Sequence, residues 1–295
     1  MVRDMTHNDP GDGSTAGGLG PAPIRAVTFN VRYGTAPDGP NHWDLRKGIL
    51  LDAVQEIDPH VMGVQECMPF QGDEIKMRFP HLDHLGVGRY HGVARDDRPQ
   101  ESRCGEHCDI FFDSRLFLAE RCGTFWHSDT PDVPGSISWG NPYPRITTWA
   151  ILRSRTGNGR FAFFCTHYHG EEPCCTKATG LMIDRIGMYA AGLPCVVVGD
   201  FNLKPDNQNH ARLTDPGPGG LGLRDAWLLL GKTEQDAGTE HDKFSGKPNK
   251  RIDWILVRGL TPVSIERSFF QRDGRFPSDH LPLIAQLAPT GALSG

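Results

Sequence analysis

Residues 195–202, Cys-Val-Val-Val-Gly-Asp-Phe-Asn, constrain the fold of this chain more than any other stretch. Cys195 to Val198 is short, apolar and mostly β-branched, the pattern of a strand covered on both faces, so it belongs inside a layered structure. Gly199 lets the backbone bend or approach a neighbour closely. Asp200 and Asn202 stand two apart, which in an extended segment sends both side chains to one face. Pro205 and Asp206-Asn207 mark the loop beyond. Gly-Asp after a strand is often only a turn, so its meaning depends on how the other strands end.

Ile24 to Val31 alternates and then turns apolar, a first strand with Asn30 near its end, where a turn residue would also sit. Trp43 to Ile57 carries Leu45, Ile49, Leu50, Ala53, Val54 and Ile57 at helical spacing, and Asp58-Pro59 stops it. Val61 to Val64 is a short buried strand ending in Gln65-Glu66. A carboxylate there must be solvated, paired or bound to a metal, with a helix cap as the plain alternative. Pro69 to Phe79 reads as a short helix, and Leu82 to Val93 as paired strands about a Gly-rich bend. Asp109–Phe112, Phe117–Phe125 and Arg145–Leu152 read as strands.

The segment Trp126 to Pro144 is too long and too apolar for a simple turn and is expected to wall a pocket. Arg160 to Thr166 is a strand ending in His167-Tyr168-His169. Those histidines share one face of an extended chain, a spacing that suits a transition metal or leaves one functional and the other on the rim. Thr176 to Ala191 is helical in period, and residues 204–220 read as a Pro/Gly/Asn loop. Arg251–Val257, Val263–Phe270 and Leu281–Leu287 complete the strands, with Asp253 on the first and Ser278-Asp279-His280 before the last. Two long helical patterns among so many strands argue against a doubly wound parallel sheet, which needs a helix between nearly every strand pair.

Length and composition narrow the function classes. With 38% hydrophobic and 23% charged residues over 295 positions, the chain can bury a sizeable core. A formal charge of -5, from 31 basic and 36 acidic residues, gives no global field for gathering a polyanion. No apolar run reaches the roughly 18 residues of a membrane span, and residues 1–22 lack a signal-peptide core and read as a mobile tail. Eight cysteines lie partly inside strand-like runs, which disfavours a secreted disulfide framework and points to the cytoplasm. Cys104, His107, Cys108 and Cys174-Cys175 can be drawn as a zinc site, but not at a standard spacing.

Taken in order, Phe29-Asn30, Gln65-Glu66, Thr166-His167, Gly199-Asp-Phe-Asn202, Arg251-Ile-Asp253 and Ser278-Asp-His280 all sit at strand ends. The set resembles the endonuclease/exonuclease/phosphatase superfamily over residues 24 to 288. That group includes pancreatic-type deoxyribonucleases, abasic-site endonucleases, inositol polyphosphate 5-phosphatases and neutral sphingomyelinases. Gly105-Glu106 before Asp109, Thr124-Phe-Trp126, and Arg145 before Thr148-Trp149 are similar to its bacterial small proteins. His169 departs from the pattern, since such relatives often carry an acid there.

The resemblance implies a four-layer α/β sandwich, two mixed sheets face to face with helices outside, as a single catalytic domain over residues 23–290. It implies a Mg2+- or Mn2+-dependent phosphoric ester hydrolase. Glu66, Asn30 and Asp279 would hold the metal. Asp200, Asn202, His167, His280 and Asp253 would be catalytic, and Arg145, His169 and Asn30 would contact substrate. Phosphoester hydrolysis needs charge neutralised at the phosphoryl oxygens, an in-line water and help for the leaving oxygen, which accounts for these residue types. The expected partner is a phosphorylated small molecule or a phosphodiester, with nucleic acid the less favoured substrate and no protein partner implied. The alternatives are a metal-dependent nuclease and, in another class, an inactive binding module on the same fold, which the complete set of acids and histidines disfavours. A calcineurin-like phosphoesterase would need an N-terminal Asp-x-His and a Gly-Asn-His block, and neither occurs.

Overall fold

A computed structural model describes residues 2–4, 22–95, 97–99, 103–157, 159–217, 220–235 and 237–290. Its strands, numbered along the chain, form two mixed sheets. One has seven strands in the order β1 (Val2–Asp4), β6 (Phe117–Trp126), β7 (Ile146–Ser154), β8 (Arg160–His167), β9 (Cys195–Asp200), β11 (Asp253–Arg258) and β10 (Arg224–Asp225). The other has six, in the order β12 (Leu260–Arg267), β13 (Leu283–Pro289), β2 (Ile24–Asn30), β3 (Val61–Cys67), β5 (His107–Asp113) and β4 (Leu82–Leu85). Among the described residues, only β2 with β3 and β8 with β9 pair in parallel.

Three apolar cores separate four layers. Between the sheets lie Ala26, Val61, Ile110, Phe163, Val198, Ile255 and Ala285. Outside the six-stranded sheet, α1 (Trp43–Ile57) and α2 (Pro69–Arg78) pack Leu50, Val54 and Ile75 on Val27, Phe29 and Met62. Outside the seven-stranded sheet, α3 (Cys174–Tyr189) and α4 (Gln208–Thr214) pack Met182, Ile186 and Leu213 on Phe164, Val197 and Trp254. A strand such as β9 is apolar throughout because one face meets the inter-sheet core and the other meets helices. The sheets come so close that a Cβ on Gly63 would run into Val198 and Cys165.

Helix α1 shows how the local sequence sets an element. Trp43, Arg46, Leu50, Ala53, Val54 and Ile57 recur at helical spacing and are buried, and Asp58 closes the helix in the left-handed region at φ 49° before Pro59.

Three expectations change. Leu82–Val93 is not a hairpin: β4 pairs with β5, and Gly88 bridges to His107, so the partners come from 19 to 31 residues later in the chain. The loop at 204–220 contains α4, capped by the Asn207 side chain accepting from the Asn209 amide. Within the expected tail, Val2–Asp4 pairs antiparallel with Arg121–Gly123 as an edge strand, and most of that tail lies outside the described residues. The Trp126–Pro144 segment folds on itself through Trp139 Nε1 to Asp129 Oδ1 at 2.8 Å and Asn141 Nδ2 to the Ser138 carbonyl at 3.1 Å.

Candidate active site

Register brings the constellation together. His167 is paired with Asp200 across β8 and β9, and Asp200 with Asp253 across β9 and β11, so three strands set three side chains in one row. In the facing sheet, Asn30 ends β2 beside Gln65, with Glu66 next along β3. Asp279 and His280 precede β13. Strands β2, β3, β8 and β9 thus end, and β11 and β13 begin, at the same edge of the sandwich. Gly199 is required there, because a Cβ would meet the Thr166 carbonyl of the adjacent strand.

Asp200 is the hub and is 2% exposed. Its Oδ1 accepts from the Asn202 amide at 2.9 Å, and its Oδ2 accepts from Asn30 Nδ2 at 3.0 Å. His167 Nε2 lies 3.5 Å and His280 Nε2 3.8 Å from that same Oδ2. His280 Nδ1 donates to Asp253 Oδ2 at 2.8 Å, which fixes the ring and leaves Nε2 facing Asp200. Burial first, then the nearby Asp253, raises the Asp200 carboxyl to about 7. Burial opposes a charge on His280, yet Asp253 and then Asp200 hold it well above the usual histidine range. His167 is pushed well below that range by burial and by the charge of Arg145. One histidine is therefore held as a cation and the other as a neutral ring, on either side of one carboxylate.

Glu66 sits on the other wall. Its backbone is left-handed at φ 59°, at an irregularity where β3 loses register with β5 between Val64 and Cys67. Glu66 Oε1 accepts from Asn30 Nδ2 at 3.1 Å and Oε2 from the Tyr33 amide at 3.1 Å. A single Asn30 amide thus bridges Glu66 and Asp200, while Asn30 Oδ1 accepts from the Arg32 amide at 2.9 Å. Asp279 lies 3.7 Å from Arg32 Nε, and burial raises its carboxyl above the usual range.

These carboxylates fit a hard divalent cation: they supply oxygen donors, and two of them are held protonation-prone by burial that a cation would offset. Asp200, Asp253 and His280 also place one ligand atom each within 4.8 Å of one another, metal-like spacing in itself. The 2.8 Å bond between Asp253 and His280 instead marks that trio as a proton-holding unit. Cys104, His107, Cys108, Cys174 and Cys175 form no such group among the described residues, since Cys108 lies between the sheets and Cys174 on α3.

Asn202 differs from its expected geometry. Strand β9 ends at Asp200, and Asn202 is left-handed at φ 52°, so the two side chains do not share a strand face. Its Nδ2 donates to the Tyr168 carbonyl at 3.1 Å. His169 Nε2 lies 3.8 Å from Glu171 Oε2. Arg145 is 8% exposed, with an Nε lacking a partner, and borders a small cleft with Arg89, Glu106, His107, Pro144 and His167. From the long apolar segment only its end reaches that cleft. A larger groove lined by Arg25, Asp58, Glu266, Phe269 and Gln286 contains none of the constellation.

Sequence reasoning missed several supports. Gln71, fully buried on α2, accepts from the Gly34 amide at 2.7 Å and donates to the Arg32 carbonyl at 3.0 Å. Arg89 pairs with Glu106 at 2.7 Å and lies 4.4 Å from the Tyr143 ring, with Arg145 4.9 Å from the same ring. Arg46 is 1% exposed beneath the site. A charged residue at a core position of the α1 period was the readable signal for Arg46.

The endonuclease/exonuclease/phosphatase family model matches residues 27–280. An uncharacterised protein of Acanthamoeba polyphaga mimivirus is 26% identical over 168 residues, 54% of this chain, and the chain spans 59% of that relative's length. Among solved structures, a mannosyl-6-phosphatase of Bacteroides thetaiotaomicron is 26% identical with a TM-score of 0.73, covering 90% of this chain and 99% of that one. An endonuclease/exonuclease/phosphatase protein of Bacteroides vulgatus is 25% identical with a TM-score of 0.77, covering 90% and 98%. With a match that runs from β2 to His280 and takes in every strand end of the site, this chain belongs to the endonuclease/exonuclease/phosphatase family.

Proposed function

We propose that the protein is a divalent-metal-dependent hydrolase of a small or head-group phosphoester, a single catalytic domain over residues 23–290. The observation that carries the reading is the convergence of His167, His280, Asn30 and the Asn202 amide on the buried carboxylate of Asp200. Glu66, Asp279 and Asn30 would hold Mg2+ or Mn2+, which when bound supplies positive charge to the phosphoryl oxygens. Asp200 orients the attacking water and accepts its proton. His280, kept cationic by Asp253, donates a hydrogen bond to a phosphoryl oxygen, and neutral His167 donates a hydrogen bond to the leaving oxygen, which takes its proton from solvent. Asn202 is the further polar group beside the water, while Arg145 and His169 face the rest of the substrate.

A compact substrate is favoured over duplex DNA. The chain has 31 basic and 36 acidic residues, and Arg89 beside the site is already paired with Glu106. The mannosyl-6-phosphatase among the relatives is consistent with a sugar phosphate. Eight free cysteines suit a reducing compartment such as the cytoplasm, and no helix among the described residues is long and apolar enough to cross a membrane. The test runs phosphate release from sugar phosphates, nucleotides, inositol phosphates and lipid head groups beside plasmid nicking, with Mg2+ or Mn2+ at moderate salt. Release from a small phosphoester with little nicking is expected. Efficient nicking with an inert small-molecule panel would make the protein a nuclease.

A further inference from the structure

Arg46 is a buried cation whose hydrogen bonds, among the described residues, all go to backbone carbonyls. Its Nη1 donates to Val31 O at 2.9 Å and to Pro277 O at 2.7 Å, its Nη2 to Arg32 O at 2.7 Å, and its Nε to Asn41 O at 3.0 Å. The guanidinium also lies 5.1 Å from the Trp43 ring and 5.6 Å from the Phe244 ring. Burial alone would drive it to shed its charge, and the facing Asp279, Asp38 and Glu66 oppose that.

The carbonyls it gathers belong to two turns far apart in sequence. The Val31–Arg32 turn follows Asn30 and leads to Tyr33, whose amide holds Glu66. Pro277 precedes Ser278, whose Oγ donates to the Asn30 carbonyl at 2.7 Å, and then Asp279 and His280. Phe244 belongs to the loop whose His241 amide donates to the Asp279 carbonyl at 2.8 Å. One planar fork therefore spans the two walls that carry Glu66 and Asp279. A flexible lysine cannot reproduce several bonds in a fixed plane.

We propose that Arg46 is the positioning residue that sets the separation of Glu66 and Asp279, and through it the affinity of the site for a divalent cation. This rests on the metal reading of those carboxylates. Its charge weakens cation binding somewhat by repulsion, while its geometry strengthens it by holding the ligands in place, and geometry dominates because a hard ion demands a narrow arrangement of oxygens.

The experiment is calorimetric titration of the full chain with Mn2+ alone, on wild type, Arg46→Lys and Arg46→Ala, with melting temperatures in chelator and activity against metal concentration. Arg46→Lys keeps the charge and loses the fork, and is expected to weaken Mn2+ binding about tenfold, with activity recovering as metal is raised. Added methylguanidinium should restore affinity to Arg46→Ala. Folded variants that bind Mn2+ as wild type does would overturn the proposal. Wild type that binds no Mn2+ would instead sink the metal reading itself. Wild-type hydrogen exchange covers the case of variants that do not fold: residues 31–34 and 276–281 should open as one unit and be protected together by Mn2+, and independent opening would overturn the clamp.

Discussion

Asp200 is costly to the fold and for that reason informative. A carboxyl raised to about 7 takes up a proton in the folded protein more readily than in the unfolded chain. Its contribution to stability is therefore best below the ordinary carboxylate range and falls as pH rises toward 7, because the folded state then holds protons that the unfolded state has lost. Removing the charge should stabilise the metal-free protein: Asp200→Asn in chelator should melt higher than wild type at pH 8 by a few kcal/mol equivalent, with the difference shrinking toward pH 4. Equal melting temperatures at pH 8 would mean that the site already offsets the buried charge. The same substitution should lower turnover on the order of 10^2 to 10^4, the range of general acid or base assistance.

The Asp253–His280 pair belongs to this scale too. If the 2.8 Å bond keeps His280 cationic and oriented, Asp253→Asn and His280→Ala should each lower turnover by about 10^2 or more, and the double variant should lose little beyond either single. Losses that multiply would show that Asp253 acts independently of His280.

At the scale of elements, strand endings put the chemistry in place. The row of His167, Asp200 and Asp253 exists because β8, β9 and β11 pair in one register. Gly199→Ala should disturb that row directly. A methyl against the Thr166 carbonyl should destabilise the protein by about 1–3 kcal/mol, read by chemical denaturation, and reduce activity further than stability explains. A variant of unchanged stability and activity would show that the strands have slack there. Phe201 supports the same point from behind, stacked 4.2 Å from Trp254, which His210 meets edge-on.

These endings are legible in the sequence, because each apolar run stops at a polar residue that has no place in a core. Elements defined by partners distant in sequence were less so. Nothing in Leu82–Leu85 specifies β5 as its partner, and Val2–Asp4 has no alternation to mark an edge strand. The composition around α4 spells loop, and seven residues are too few to show a period. Among site residues, Asn202 and Glu66 were readable as positions but not as left-handed backbone, since their φ values of 52° and 59° are imposed by the closing strands. Arg46 was readable as a charge at a core position of α1, but what it, Gln71 and Arg89 contact lies in remote loops and emerges only when the walls are assembled.

At the scale of the whole molecule, the sandwich closes at one edge around Glu66, Asp279, Asp253 and Asp200, with the cations Arg32, Arg46 and Arg145 nearby but none bonded to Asp200 or Glu66. Asp200 and Asp253 are buried there and Glu66 and Asp279 half-buried, and a divalent cation would offset that concentration of negative charge. The most direct measurement is phosphate release from the best substrate of the panel, first in excess chelator and then with Mg2+ or Mn2+ restored, for wild type and Glu66→Gln. A metal-dependent mechanism entails no turnover in chelator, recovery with either metal, and a much higher metal requirement for Glu66→Gln. Turnover that persists in excess chelator would contradict it.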